Sequence, residues 1–356
     1  MSNFGFVDWK GTSGVASGFT SIGGNPFIVN QDFKEQISEG GVTGVIPWTK
    51  NGYNAALSNQ FEDLWSVGGI HVNPTAEMQM EVVSSSTDDA GIVLHSGSST
   101  TGGSTTTLEK TGENFLTTTA VGDTVIVDAA GATPEFGIIT EVTSDTVITF
   151  ANGLSRGGSG ASRSTYSIID NSATTGAQAV KVSYLDDAFA EHNEIIITNG
   201  TTPVVTVNTD IYRVNVFRVI AAGSGGGNAG AIDVRNTADT PIYSQIATGI
   251  NRATNITYTV PASKELYIYN ILLSAGSNVA NRPVRFMTLA TFDSSTSRKI
   301  PLYMPYTNVI VTDGSVDVPI EIPTKFPAGV DIKVSAISPD GASYGAVALR
   351  GWLKTV

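Results

Sequence analysis

The chain has no cysteine, which excludes disulfides, thiolate-ligated zinc and a thiol nucleophile together. Charged residues are scarce, at 15%, where an ordinary globular domain carries about a quarter. Histidine occurs only at His71, His95 and His192. None of these stands at metal-ligand spacing from another, so acid–base chemistry would fall to carboxylates. No apolar run approaches the roughly 20 residues that a membrane-spanning helix needs. The opening Met1-Ser2-Asn3-Phe4-Gly5 lacks the basic and apolar regions of a secretory signal. These absences predict synthesis in the cytosol and no membrane partner. A chain free of cysteine also suits work outside a cell, where it needs no redox support.

Positive charge is short as well. There are 20 Lys and Arg against 32 Asp and Glu, a formal net charge of −12, and no basic cluster stands out along the sequence. A phosphate backbone would repel such a chain on average, so a nucleic-acid partner is not expected.

What the chain has is turn and strand formers. Thirty-eight glycines accompany abundant Ser, Thr, Asn and Val, and hydrophobic residues reach 41% of 356. That length suffices for two or three domains with apolar cores. The composition is all-β. Alternation at period two supports it: Val180, Val182 and Tyr184 alternate with Lys181 and Ser183, and Tyr212, Val214 and Val216 with Arg213 and Asn215. The longest case is Val316, Val318, Ile320 and Ile322 between Asp317, Pro319 and Glu321. Each run predicts one buried and one solvated face, and Pro319 places its strand at a sheet edge. Turn signals at Asn199-Gly200, Asp313-Gly314, Pro327-Ala328-Gly329 and Pro339-Asp340-Gly341 set the rhythm of antiparallel sandwiches.

The expected organisation is an extended N-terminal arm over 1–80 with little regular structure, then a β-sandwich from 81–96 plus 171–250. A small inserted β-barrel-like domain fills 97–170, flanked by Ser/Gly/Thr-rich joints. A C-terminal sandwich or jelly-roll-like unit covers 251–356. The arm's aromatics Trp9, Phe27, Trp48 and Trp65 are candidate anchors on a partner surface; the alternative is that they pack under the chain's own sandwich.

Two literal motifs fail their context. Gly225, Gly227 and Gly230 fit G-x-G-x-x-G, but strand-like Ala231-Ile232-Asp233-Val234-Arg235 follows where a dinucleotide site needs a helix, so this reads as a hairpin loop. Gly341, Ser343 and Gly345 fit G-x-S-x-G, yet no histidine follows His192, so the serine-hydrolase order is impossible and a hairpin turn is expected. The adjacent pairs Asp88-Asp89 and Asp186-Asp187 point to opposite faces and do not converge on one ligand. No EF-hand loop occurs, and no cofactor or metal is expected. The sequons Asn199-Gly200-Thr201 and Asn255-Ile256-Thr257 are expected to stay unmodified, since no secretory signal precedes them.

Three stretches resemble a known family: Met80-Glu81-Val82-Val83-Ser84-Ser85-Ser86-Thr87-Asp88-Asp89-Ala90; Gly176 to Asp186 with its continuation Glu194 to Pro203; and Tyr258-Thr259-Val260-Pro261-Ala262 followed by Leu266-Tyr267-Ile268. Together they are similar to virion structural proteins of tailed bacteriophages, in which the first two segments often adjoin. The resemblance implies a non-enzymatic decoration or cement protein on the outer head surface, made in the host cytoplasm. Its implied partners are the major capsid protein and copies of itself, in a homo-oligomer such as a trimer. It transfers no catalytic residue. The competing reading is a tail or fibre-associated protein that grips receptor glycan, for which Tyr267 and Tyr269 are the one close aromatic pair. A depolymerase would need two carboxylates converging in a cleft.

Overall fold

The computed structural model describes residues 20–22, 25–27, 37–38, 40–97, 101–151, 165–277, 282–292, 300–303, 308–339 and 343–356. Apart from a helical turn at Phe115–Thr118, the regular structure within named elements is strand. The all-β expectation holds, and the pairings are antiparallel throughout.

In chain order, β1 (Thr20–Ile22) and β2 (Asn25–Phe27) pair with each other. Next come β3 (Val45–Leu57), β4 (Glu62–Asp63) and β5 (Met80–Ser84). One sheet then gathers β6 (Val93–Gly97), β7 (Gly102–Gly103), β8 (Thr107–Glu109) and β9 (Thr124–Val127). It also holds β10 (Glu135–Ser144), β11 (Val147–Ala151) and β12 (Tyr166–Ile169), in the order β6-β12-β9-β10-β11-β8-β7. This unit has its own core of Leu108, Phe115, Val125, Val127, Ile139, Ile148, Phe150, Tyr166 and Ile168. Strand β9 reads Thr-Val-Ile-Val because both its faces are covered. Val125 and Val127 enter that core, while Ile126 packs with Ile169, Ala179, Ile195 and Ala221, where the unit meets the next domain.

That domain uses β13 (Ala177–Leu185), β14 (Glu191–Ile197), β15 (Val204–Val205), β16 (Arg213–Ala222), β17 (Ile232–Asn236) and β18 (Ile242–Ile246). Sheet β14-β13-β16 faces sheet β15-β5-β17-β18, with Val82, Val180, Val182, Phe217, Ile232 and Val234 buried between them. Gly225–Gly230 is a loop, as its context required. It joins strands of the two opposed sheets, so it crosses the sandwich and does not close a hairpin.

The second sandwich contains β19 (Tyr258–Thr259), β20 (Lys264–Ser277), β21 (Val284–Phe292) and β22 (Ile300–Tyr303). It continues with β23 (Val309–Val311), β24 (Gly314–Phe326), β25 (Val330–Ile337) and β26 (Ser343–Thr355). Sheet β24-β20-β26-β3 faces β19-β25-β21-β22, with β4 beside β25 and β23 beside β21. Strands β25 and β26 lie in opposed sheets, so the G-x-S-x-G run is not a hairpin turn either, and Ser343 is buried at the start of β26.

Two expectations are corrected here. The arm does not extend to residue 80, because β3 is a 13-residue strand paired along β26 from Leu57–Ser343 to Val45–Lys354. Its alternation is hidden in the sequence because, between the buried Val45 and Leu57 at its ends, the alternating buried positions are Trp48, Lys50, Gly52 and Asn54, and only the first of these four is a large apolar residue. Gly52 is required there, since a Cβ would lie 2.5 Å from the Leu64 carbonyl. Strand β24 is the edge strand that Pro319 predicted, but its alternation breaks. The ladder to β20 slips between Ile268 and Asn270, and Ile322 emerges 85% exposed while Ile320 stays buried.

Candidate functional site: the seam between the sandwiches

Arg213 and Asn215 alternate with apolar residues on β16, which predicts a solvated face. Instead that face is buried at the junction of the two sandwiches, where Arg213 is 2% exposed. The Arg213 guanidinium donates to Asp331 of β25 (Nε–Oδ1 3.3 Å, Nη2–Oδ2 3.4 Å) and to the carbonyls of Pro74 and Tyr212. Thr259 Oγ1 also donates to Asp331. Asn215 and Thr259 exchange two bonds, Nδ2 to the Thr259 carbonyl at 2.8 Å and the Thr259 amide to Oδ1 at 2.9 Å. A second set lies nearby. Asp63 accepts from the His71 amide, Ser335 Oγ and Lys333 Nζ, while His71 Nε2 donates to the Tyr243 carbonyl of β18. Burial holds the His71 imidazole below its ordinary pKa despite that carbonyl and Asp63. Separating two sandwiches joined by these buried polar groups would strand charge in a low-dielectric interior.

A cleft of about 530 Å³ opens along this seam. Trp48 and Lys50 of β3 form one wall; Ser183 and Tyr184 of β13, His192 of β14 and Arg252 form the other. Lys50 Nζ donates to the Asn215 carbonyl at 2.5 Å and, among the described residues, pairs with no carboxylate. Burial first, and then the Arg252 guanidinium, lower its pKa to about 7. Tyr184 stacks on His192 and donates to Asp210 Oδ1 at 2.8 Å; burial and that carboxylate push its phenol up. Glu191 is the cleft's one carboxylate among the described lining residues, and it pairs with Lys264. His192 is held by Asp186 Oδ2 at 3.0 Å. A glycosidase uses two converging carboxylates, and among the described lining residues Glu191 has no such partner.

The sequence-predicted anchors fare differently. Trp9 lies outside the described residues, and Phe27 ends β2 with only its backbone described. Trp48 and Trp65 are corrected: both are buried within the chain, 8% and 4% exposed. Trp48 meets Tyr258 edge-on at 4.9 Å, and Trp65 meets His71 at 5.0 Å and donates Nε1–H to the Gly69 carbonyl. They pack inward because β3 and β4 belong to the second sandwich. Tyr267 and Tyr269 flank Trp352, both rings at 5.6 Å from it, and Ile37, Val42 and Val45 pack on the three. The chain's own segment before β3 therefore covers the aromatic pair that suggested a glycan platform. Asp88 is exposed and Asp89 buried, so that pair does not converge on one ligand. Among the described residues no group of three or more His, Asp or Glu is placed to hold a metal.

Sequence reasoning missed Lys50, Arg213, Asn215 and Arg252. The one available signal was the basic residue Lys50 at an inward position of a strand whose pairing the sequence does not reveal.

These features define a class: an all-β protein of two sandwiches joined through buried polar contacts, with a third β unit inserted in the first. No protein-family model matches the chain, and no curated protein matches it. Among solved structures it is similar to the mosquito-larvicidal Cry4Aa toxin of Bacillus thuringiensis, at 11% identity and a TM-score of 0.16. The match covers 66% of this chain and 52% of the toxin, so the chain spans about half of that protein. A TM-score of this size carries no argument about fold or function.

Proposed function

We propose that this chain is a structural protein of a tailed-bacteriophage particle, fixed to the outside of the head as a decoration or cement protein that stabilises the capsid. The observation that carries the reading is the buried seam, where Arg213–Asp331 and Asn215–Thr259 join two sandwiches into one stiff body. A protein that reinforces a shell transmits load through shape and contact, and a stiff two-sandwich body with few long charged side chains suits that task. The major capsid protein and further copies of this chain are the proposed partners. Residues before Ile37, with Trp9 and Phe27, are the proposed contact segment, since the later tryptophans are engaged internally.

Quantified gel bands of purified particles test the placement. Hundreds of copies per particle support the head, and a handful confined to a tail would sink it in favour of the tail-fibre reading.

A further inference from the structure

Three basic residues far apart in sequence become neighbours in the fold. Lys181 of β13 stands directly opposite Arg218 of β16, and Arg218 is bridged in turn to Arg252. Cross-strand partners point to the same side of a sheet with Cα atoms about 5 Å apart, so the three form a row of like charge. Five other basic side chains pair with carboxylates: Arg213 with Asp331, Arg235 with Glu81, Lys264 with Glu191, Lys325 with Glu265 and Lys333 with Asp63. Lys181, Arg218 and Arg252 make no ion pair and no side-chain hydrogen bond among the described residues. The charge acting on Lys181 is that of Arg218, and on Lys50 that of Arg252. In a chain with 32 acidic residues and a net charge of −12, such a row is unusual. Like charges directly opposite one another destabilise a sheet, and a bound anion would reverse that cost.

The row also leads somewhere. Ser183 lies on the same face two residues beyond Lys181, and Val216 two before Arg218; both line the cleft at the seam, as does Arg252 itself. On the other side Ile195, opposite Lys181, is buried against the inserted unit, with its amide bonded to the Ala129 carbonyl at 2.7 Å. The row thus runs across the sheet from the strand beside the inserted unit to Arg252, which lines the cleft together with Ser183, His192 and Asn193. The part-exposed His192 ring, stacked on the buried Tyr184, lies beside the hydroxyl and amide of Ser183 and Asn193 and suits a sugar ring, and guanidinium groups suit an acidic substituent on it.

We propose that the Lys181–Arg218–Arg252 row and the adjoining cleft bind an acidic polysaccharide, a sugar chain bearing carboxylate or sulfate groups. A single row of cations leading to a cleft of about 530 Å³ suits a thin charged polymer better than a broad acidic protein face. The net charge disfavours a long nucleic acid. The site does not depend on the particle reading, since copy number tests that one and sugar binding tests this one.

The test is calorimetry and affinity electrophoresis of the full chain with polygalacturonate, dextran sulfate, neutral dextran and poly-glutamate. One or both acidic polysaccharides should bind, more weakly as salt rises, and the stronger of the two identifies the substituent; neutral dextran should not bind. Arg218→Gln and Arg252→Gln should each weaken binding about tenfold, whereas Lys354→Gln, at an exposed site on the second sandwich, should not. Without ligand, Arg218→Gln should melt at or above the wild-type temperature, because it relieves like-charge repulsion. The proposal is overturned if neither acidic polysaccharide binds, if the arginine variants bind as tightly as wild type, or if poly-glutamate binds as well as the sugars. A lower melting temperature for Arg218→Gln with weakened binding would also overturn it, by making the arginine a structural support.

Discussion

Arg213 of the first sandwich and Asp331 of the second form a buried ion pair across the seam, Nε to Oδ1 3.3 Å, both side chains under a tenth exposed. The pair is held from both sides, since Arg213 also donates to two carbonyls and Asp331 also accepts from Thr259. Removing one partner leaves the other charged in a dry interior. Asp331→Ala should therefore cost about 3–5 kcal/mol in denaturant unfolding and split the transition between the sandwiches. The double variant Arg213→Met/Asp331→Leu should recover much of the loss. A single variant within about 0.5 kcal/mol of wild type would show that the pair does not join the domains.

Lys50 gives a pH signature. Its folded pKa of about 7 lies below the ordinary lysine value of 10.5. Between those values the unfolded chain keeps a proton that the folded chain has released, so this residue makes stability rise with pH across that window. Below about 7 the amine is charged in both states, and the penalty, on the order of 3–5 kcal/mol, is fully present. Arg252, Glu191 and His192 face the same cleft. Lys50→Met should gain about 1–3 kcal/mol at pH 6, the lost bond to the Asn215 carbonyl offsetting part of the relief. The advantage should vanish by pH 10. A gain independent of pH would refute the burial of a titrating amine.

Asp89 is the hub of the glycine-rich loop. Its carboxylate accepts from Ser84 Oγ (2.5 Å) and from the amides of Ala177 (2.6 Å), Ala229 (2.7 Å) and Gly230 (2.8 Å). Asp89→Ala leaves these buried donors unpaired and should cost at least about 3 kcal/mol. Amide exchange at Ala229 and Gly230 should accelerate most. Unchanged exchange there would mean that the loop is held by other contacts.

Truncation separates fold from attachment. A chain starting at Ile37 keeps Ile37, Val42 and Val45 against Trp352 and all of β3. It should melt within about 2 °C of the full chain, which corresponds to a loss of about 1 kcal/mol, and yet lose particle occupancy. Starting at 51 removes half of β3 and should destabilise the second sandwich itself. Full occupancy of the chain starting at Ile37 would rule out the first 36 residues as the contact segment.

Much of the architecture was legible in the residues. Period-two runs marked β13 and β16 and Pro319 marked an edge, but the Ser/Gly/Thr runs expected as joints fall between strands of one sheet, which runs from Val93 to Ile169. Strand β3 was not legible, because Lys50, Gly52 and Asn54 occupy its inward positions. Trp48 and Trp65 looked like the anchors of an arm for the same reason: the partner strand that buries the first lies some 300 residues away at β26.

The sequence by itself determined the strand vocabulary, the loops, the acidic balance and the absence of thiol chemistry, since these depend on residue type and local spacing. Tertiary structure alone decided which faces meet. Alternation says that Arg213 and Asn215 share a side of β16, but only the second sandwich makes that side an interior. Likewise only strand pairing brings Lys181, Arg218 and Arg252 into one row, because cross-strand neighbours are set by register and not by distance along the chain.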